Sequence, residues 1–166
     1  MKIGVLVKQV PDTASKIEVN AGHDGISDAN IKFVMSPYDE LAVEAAIKLK
    51  ETSQAITTVI TLGSAKSVET LRTALAMGID QAIHVDSEGQ TLDAFSTATV
   101  LAQVIKDKGF DLVLCGKQAT DLDNAQVVPM IAGILDWPQV MIVESFEVAN
   151  NTARLTRRVS GGGQEI

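Results

Sequence analysis

Residues 112–126 read LVLCGKQATDLDNAQ, a pattern that predicts a turn from a strand through a loop into a helix. Its apolar run predicts a buried strand that stops at Gly116, and a polar loop then leads to Asp123, where we predict that a helix begins. The backbone N–H groups at the start of such a helix are unpaired and lie at the positive end of the helix dipole. A turn of this kind binds anions, and phosphates in particular.

The side chains of this turn leave two interpretations open. Lys117 supplies a cation for a phosphate, whereas Asp121 and Asp123 repel phosphate and fit better as a helix cap or as acceptors for ribose hydroxyls or an adenine amine. In the plainer interpretation, Asp123 and Gln126 only form a capping-box-like pair. On the pattern alone neither interpretation is preferred. The hydrogen-bond donors of the turn are Gln118, Thr120, Asn124 and Gln126.

The composition bounds the class of protein. A chain of 166 residues fits one domain, residues 1–166, that can bury a core without disulfides, and it has one cysteine. The net charge of −7 argues against a nucleic-acid or anionic-membrane surface. No apolar stretch approaches the ~20 residues of a membrane span, and no targeting pattern is recognisable. We therefore expect a soluble, cytoplasmic protein of bacterial type.

Strand and helix patterns alternate along almost the whole chain. Helices between strands imply parallel pairing with right-handed crossovers, so we predict a doubly wound, mostly parallel α/β sheet of Rossmann-like type with helices on both faces. Residues 9–33 are expected to form a loop or hairpin that covers the sheet edge, and residues 161–163 a frayed tail. The predicted strands are residues 3–7, 57–62, 82–85, 112–115, 140–143 and 154–159.

Helix signals separate these strands. Ser36 as N-cap with Pro37 in the first helical position starts one helix, and Gly63 turns the second strand into another that ends at Gly78. Two more helices are predicted over residues 92–108 and 124–135. The side chains expected to point inward are Ala42, Ala45, Ala46, Leu49, Val68, Leu71, Leu75, Phe95, Ala98, Leu101, Ala102 and Ile105.

The carboxyl ends of the strands form the expected binding edge, because ligands of open parallel sheets bind there. Lys8 follows the first strand, Gly63 the second and Gly116 the central one, and the helix start at residues 36–39 lies near them. We expect these turns to line one cleft, in which Gly116 gives the backbone room to approach a phosphate. Neither a GxGxxG fingerprint nor a P-loop motif occurs in the sequence.

Catalytic constellations are mostly missing from the sequence. His23 lies in a polar loop and His84 in a strand, with no Ser or Cys elbow beside them, so both are expected to be structural. Cys115 ends a buried strand and is expected to be a small core thiol. Three arginines, Arg154, Arg157 and Arg158, suit an edge strand kept soluble by charge, or a partner's acidic face. The pattern indicates a nucleotide-binding fold without visible machinery for bond chemistry.

Five motifs carry a resemblance to a known family. They are KQVPD at residues 8–12, SPYDELAVEAA at 36–46, TALAMG at 73–78, GKQA at 116–119 and AGILDWPQ at 132–139. In this order they resemble the beta subunit of electron transfer flavoprotein, and the likeness extends from Met1 to about Gly163. Five motifs in register are far more specific than any single one.

The resemblance implies a role that no local motif shows. The family's beta subunit binds AMP as a structural ligand, or a second FAD in bifurcating relatives. It pairs with an alpha subunit that carries the redox-active FAD, and the heterodimer moves electrons from acyl-CoA or related dehydrogenases to a quinone-linked acceptor. With Lys8 added from the cleft argument, the implied nucleotide-binding set is Leu6, Lys8, Ser36, Pro37, Tyr38, Asp39, Leu62, Gly116, Lys117, Gln118, Ala119, Thr120, Asp121, Asp123, Asn124, Ala125, Gln126 and Val127.

Two departures from the family qualify this expectation. Val127 stands where some relatives have a phosphate-binding threonine, which leaves the backbone N–H groups to hold the phosphate. Family members also continue beyond residue 166, through the segment that wraps the partner and docks the dehydrogenase. The alternative is a free-standing ATP-binding module of the universal-stress type. A glycine-rich phosphate loop late in the chain would favour it, and residues 161–163 are a poor candidate because they follow a strand but no helix follows them.

Overall fold

Four α-helices and nine β-strands occur in the part of the chain that the computed structural model describes, residues 1–149 and 152–166. The helices are α1 (Pro37–Ser53), α2 (Val68–Met77), α3 (Ala94–Lys108) and α4 (Val127–Leu135). The strands are β1 (Lys2–Leu6), β2 (Gln9–Pro11), β3 (Phe33–Met35), β4 (Ile56–Gly63), β5 (Gln81–Asp86), β6 (Leu112–Cys115), β7 (Val143–Ala149), β8 (Thr152–Val159) and β9 (Gly162–Glu165).

The central sheet has the strand order β5-β4-β1-β6, and every pairing in it is parallel. Leu6 at the end of β1 pairs with Ile60 of β4 on one side and with Cys115 of β6 on the other. Because all four strands run in one direction, their carboxyl ends share one edge of the sheet. This order confirms the predicted doubly wound α/β fold.

Two hydrophobic clusters cover the two faces of this sheet. The first joins α1 and α2 to β1 and β4, with Ile3, Val43 and Val59 fully buried in it. The second joins α3 and α4 to the opposite face, around Ile60 and Ile105. Helices therefore lie on both faces, as predicted. Alternation of side chains along each strand sends neighbouring residues into different clusters.

The predicted helix ends are largely confirmed. Ser36 is the N-cap of α1 and Pro37 its first residue. Gly78, with φ 125°, caps α2, and Gly109, with φ 63°, caps α3, because glycine tolerates positive φ without steric cost. At its start, α3 is capped by Asp93, whose carboxylate accepts a 2.7 Å hydrogen bond from the Ser96 N–H.

The inward orientation predicted for two side chains is wrong. Leu75 is 39% exposed and Phe95 is 62% exposed. Ala74 and Ala98 are fully buried beside them, because small residues let the helices approach the sheet closely at those positions. None of the described helices combines the length and the apolar character that a membrane crossing requires.

The segment at residues 9–33 begins with β2 and ends at β3, and these two strands pair in an antiparallel hairpin. The hairpin is a sheet of its own and pairs with neither edge strand, β5 nor β6, of the central sheet. It is held to the rest of the domain by Val10, which is fully buried, and by contacts of β3 with α2. A hairpin, one of the two predicted forms, is therefore present, and its predicted position over the sheet edge stays a prediction.

The last strands differ from the prediction. Residues 140–142 are not a strand, and β7, β8 and β9 form a separate antiparallel sheet in which β8 is central. The arginines of β8 therefore do not lie on an edge strand: Arg158 pairs with Glu144 at 2.7 Å and Arg154 with Glu165 at 3.2 Å. The prediction of a frayed tail is also wrong, because Gly161, at φ 95°, turns the chain tightly into β9.

A polar clamp fixes the amino-terminal edge of the sheet. One Asp80 oxygen accepts hydrogen bonds from the Thr57 N–H and hydroxyl, both at 2.9 Å, and the other accepts one from Lys50. The Lys50 ammonium, followed by the Thr57 N–H, lowers the pKa of Asp80 below its ordinary value. The stabilisation by this carboxylate is therefore present above the pKa of the unfolded chain and is lost as the pH falls.

We expect Asp80→Asn to lower the free energy of unfolding by about 1 kcal/mol at neutral pH, because the site is partly exposed and one charge-assisted bond is lost. The difference from wild type should shrink as the pH falls below about 4, where the unfolded-state aspartate protonates. Urea unfolding at several pH values measures this difference. Glu44→Gln, at an exposed position of α1, is the control. A difference that does not vary with pH would contradict the assignment.

Candidate functional site

A cleft of about 440 Å³ opens at the carboxyl ends of β1, β4 and β6. The three predicted turns meet there: Lys8 follows β1, Gly63 ends β4, and residues 116–119 follow β6. A second depression, of about 550 Å³, lies at the opposite ends of the strands and is lined by Lys2, Phe110 and their neighbours. Because ligands of parallel sheets bind at the carboxyl ends, the first cleft is the candidate site.

The Asp39 carboxylate holds the floor of this cleft together. It is 6% exposed, and its two oxygens accept hydrogen bonds from the Lys8 N–H at 2.8 Å and from the Gly116 N–H at 3.1 Å. These N–H groups follow the last residues of β1 and β6, the two neighbouring strands. One side chain in the first turn of α1 thus fixes two of the turns that form the cleft.

Gly116 has a role beyond the one predicted. A Cβ at this position would lie 2.7 Å from the Tyr38 carbonyl carbon and 2.8 Å from the Tyr38 Cβ, and would also collide with the Asp39 carboxylate. The absence of a side chain therefore lets α1 approach β6. The Gly116 N–H bonds to Asp39, so this glycine serves the packing of α1. That it also leaves room for a phosphate stays a prediction.

Burial raises the pKa of Asp39 to about 6, and the N–H groups of Lys8 and Gly116 oppose this rise without cancelling it. Burial, followed by the neighbouring Asp39 charge, raises the pKa of the Cys115 thiol to about 12. Cys115 is therefore a neutral thiol in the cleft wall, which agrees with the predicted structural role. Asp39, in contrast, changes its charge near neutral pH, because its raised pKa lies close to that range.

Two acids of the loop after β6 are paired. Asp121 accepts a 2.6 Å ion-pair hydrogen bond from Lys8, and Asp123 accepts a hydrogen bond from the Gln118 amide. Their charges are offset by a cation and by a donor, which reduces the repulsion that they exert on an anion. The Lys117 ammonium lies 4.8 Å from the centre of the Tyr38 ring, at cation–π distance.

Helix α4 begins at Val127, so the predicted helix start near Asp123 and Asn124 is wrong, and so is the capping-box interpretation. Asp123 and Ala125 have φ values of 54° and 51°, which no right-handed helix accommodates. Gln126 is the N-cap but makes no capping bond with its side chain. The overlooked signal is Pro129, because proline is favoured in the first turn of a helix, where its missing N–H costs no bond.

The backbone before α4 alternates in handedness. Ala125 is left-handed, and Gln126, at φ −99° and ψ −38°, is right-handed. Such an alternation is a conformation in which successive N–H groups can form an anion-binding concavity. The N–H groups of Ala125, Gln126 and Val127 have no acceptor among the hydrogen bonds of the described residues. A non-glycine residue in the left-handed region is strained, and such strain clusters at ligand sites.

The structure brings together most of the predicted site residues. Ser36, Pro37, Tyr38, Thr120 and Asp123 lie outside the cleft lining, although Tyr38 and Asp123 hold cleft residues in place. The predicted residues that line the cleft are Leu6, Lys8, Asp39, Leu62, Gly116, Lys117, Gln118, Ala119, Asp121, Asn124, Ala125, Gln126 and Val127.

The sequence reasoning missed one wall of the cleft. The connection from β5 to α3 contributes Ser87 and residues 90–93, and the first turn of α3 contributes Ala94 and Thr97. The same strand-end rule identifies this segment, because Gly89 and its polar neighbours follow β5 directly. His84 of β5 is structural, as predicted: its Nε2 lies 3.0 Å from the Gly63 carbonyl oxygen and 3.2 Å from the Ser67 hydroxyl.

We expect Gly116→Ala to lower the free energy of unfolding by about 3 kcal/mol or to prevent folding, because the added methyl group displaces α1 and breaks the Asp39 bonds. Gly133→Ala, with no atom within 4 Å of the added Cβ, is the matched control in α4. It should gain about 0.5–1 kcal/mol from helix propensity. Thermal unfolding of both variants tests this, and a Gly116→Ala variant as stable as wild type would contradict the packing described.

The fold and the cleft define the class: a doubly wound α/β domain with its candidate binding site at the carboxyl ends of a parallel sheet. The family model described as "Electron transfer flavoprotein domain" matches residues 25–166. The chain belongs to the electron transfer flavoprotein family. This confirms the resemblance carried by the five motifs.

The curated relatives that this chain resembles are beta subunits of electron transfer flavoproteins. The electron transfer flavoprotein subunit beta of Dictyostelium discoideum is 39% identical over 163 residues, covering 98% of this chain and 65% of the relative. That of Bradyrhizobium diazoefficiens is 40% identical over 167 residues, covering 100% and 67%. That of Homo sapiens is 39% identical over 166 residues, covering 98% and 65%. The chain thus spans about two thirds of the length of these relatives.

Proposed function

We propose that this chain is the nucleotide-binding part of the small subunit of an electron transfer flavoprotein. It binds an adenine nucleotide in the cleft at the carboxyl ends of the sheet and carries out no bond chemistry of its own. Family membership supports the electron-transfer role. The observation that carries the nucleotide proposal is that Ala125, Gln126 and Val127 line that cleft while their N–H groups have no acceptor among the hydrogen bonds of the described residues.

The cleft offers each part of a mononucleotide a suitable surface. The N–H groups before α4 suit the phosphate, and Lys117 at the rim adds a positive charge. Apolar side chains of the cleft, Leu6 and Leu62 among them, suit the face of an adenine ring. This distribution of a few polar groups in an apolar cleft is typical of small-molecule sites.

Size favours AMP over FAD as the ligand. A volume of about 440 Å³ is at the lower end of the range of ligand pockets, about 300–1,000 Å³. FAD contains a complete adenosine monophosphate joined to a flavin mononucleotide, so its flavin half would have to extend beyond the cleft. We therefore propose AMP as a structural ligand, and a second FAD only if the protein belongs to the bifurcating members.

The partner follows from the names of the relatives. They are called subunit beta, so we propose that this chain assembles with an alpha subunit into a heterodimer. The FAD of that alpha subunit would supply the redox chemistry, with acyl-CoA or related dehydrogenases as donors and a quinone-linked protein as acceptor. Residues of this chain bind the nucleotide and hold the α/β domain in shape beside the flavin-bearing subunit.

The universal-stress alternative is not retained. A glycine-rich phosphate loop late in the chain would favour it, but the late glycines, at residues 161–163, form the tight turn between β8 and β9 and part of β9 itself. Backbone N–H and C=O groups of this hairpin are committed to strand pairing. The Leu155 N–H, for example, bonds to the Ile166 carbonyl at 2.8 Å.

Purification of the chain without added nucleotide, followed by denaturation and mass analysis of what is released, tests the ligand. We expect AMP in near-equal amount to the protein. Released FAD would make the site redox-active and place the protein in the bifurcating branch, and released ATP would favour a sensing module. An empty protein that also fails to take up AMP would contradict the proposed function.

Lys117→Ala should raise the Kd for AMP about tenfold without unfolding the domain, because a charge-assisted contact worth about 1.5 kcal/mol is lost. Calorimetric titration with AMP measures the Kd, and thermal unfolding checks the fold. The matched control is Lys106→Ala, a lysine exposed on α3 away from the cleft. Unchanged affinity in Lys117→Ala would show that Lys117 is a surface charge and that the phosphate lies elsewhere.

A further inference from the structure

We propose that Asp39 is a positioning residue that couples phosphate binding in the cleft to its own protonation. The inference rests on the proposed function, since it requires an anionic ligand in this cleft. It adds a property that neither the fold nor the family name implies. The site would bind its ligand more tightly when Asp39 is neutral and less tightly when Asp39 is charged.

The geometry places Asp39 where its charge matters. Its carboxylate is 6% exposed, lines the cleft, and bonds to the N–H groups of Lys8 and Gly116. Through these bonds it fixes the turns after β1 and β6, and the second of these turns continues through residues 117–124 to the N–H groups of residues 125–127, which are proposed to bind the phosphate. A negative charge at this point repels a phosphate through a protein interior that screens less than water does.

The groups that face Asp39 come from three elements. Lys8, after β1, is paired with Asp121 of the loop after β6, so the two charges largely offset each other at this carboxylate. Cys115 of β6 is neutral because its thiol pKa is raised to about 12. The Lys117 ammonium lies over the Tyr38 ring. Asp39 is therefore left as the buried group whose charge changes between about pH 5 and pH 7.

The direction of the coupling follows from linkage. Burial raises the pKa of Asp39 to about 6 in the free protein. A bound phosphate makes ionisation harder still, so it raises this pKa further. By reciprocity, protonation of Asp39 strengthens phosphate binding by the same factor. A further rise of about one pKa unit on binding corresponds to a Kd about tenfold higher at pH 8 than at pH 5.

Carbon-13 NMR of the Asp39 carboxyl carbon tests the coupling on the wild-type chain. The titration midpoint is measured in the free protein, with saturating AMP, and with saturating adenosine, which lacks the phosphate. We expect the midpoint to rise with AMP and to stay unchanged with adenosine. AMP that binds without moving the midpoint would overturn the coupling and leave the nucleotide site standing. No binding of AMP at any pH would overturn both.

A pair of variants adds an independent readout. AMP itself changes charge in this range, with a phosphate pKa of about 6, so each variant is compared with wild type at the same pH values. Asp39→Asn should lose the share of the pH dependence that comes from Asp39, while Glu40→Gln, exposed on the same turn of α1, should keep the wild-type profile. Identical profiles in all three proteins would overturn the proposal. Should Asp39→Asn fail to fold, the wild-type titration decides alone.

Discussion

Two hydrogen bonds to one buried carboxylate determine the geometry of the cleft. The side chain of Asp39, in the first turn of α1, accepts hydrogen bonds from the N–H groups of Lys8 and Gly116. It thereby joins a helix to the ends of two adjacent strands. The bonds compensate only part of the cost of burying the carboxylate, which is why its pKa rises to about 6. Gly116 completes the arrangement, because any side chain there would hold α1 away from β6.

The remaining features of the site follow from this anchor. With its first residue fixed to Asp39, the loop after β6 is held further along by the Lys8–Asp121 ion pair and the Gln118–Asp123 hydrogen bond. The chain then passes through a left-handed residue, Ala125, before α4 begins. Ala125 is strained, and the N–H groups of this residue and the next two are unpaired in a segment that lines the cleft. Sites that bind anions typically combine these two features.

The fold was predictable from the sequence because its signals are local. Ser36 with Pro37 starts α1, Gly78 ends α2, and apolar strands alternate with helices at the spacing of parallel crossovers. The rule that ligands bind at strand ends also located the cleft. The true start of α4 was missed because a left-handed Ala125 depends on surrounding contacts and leaves no local pattern. The sequence indicates Asp39 only as one member of the nucleotide-binding set, because its two hydrogen-bond partners lie 31 and 77 positions away in sequence.

Amide hydrogen exchange, followed by ¹H–¹⁵N NMR with and without AMP, tests most directly whether Asp39 forms the cleft before the ligand arrives. The account predicts that the Lys8 and Gly116 amides are already protected in the free protein, because each donates a hydrogen bond to Asp39. It also predicts that AMP protects the amides of Ala125, Gln126 and Val127. Lys8 and Gly116 amides that exchange freely until AMP is added would contradict it, because the ligand would then organise the cleft in place of Asp39.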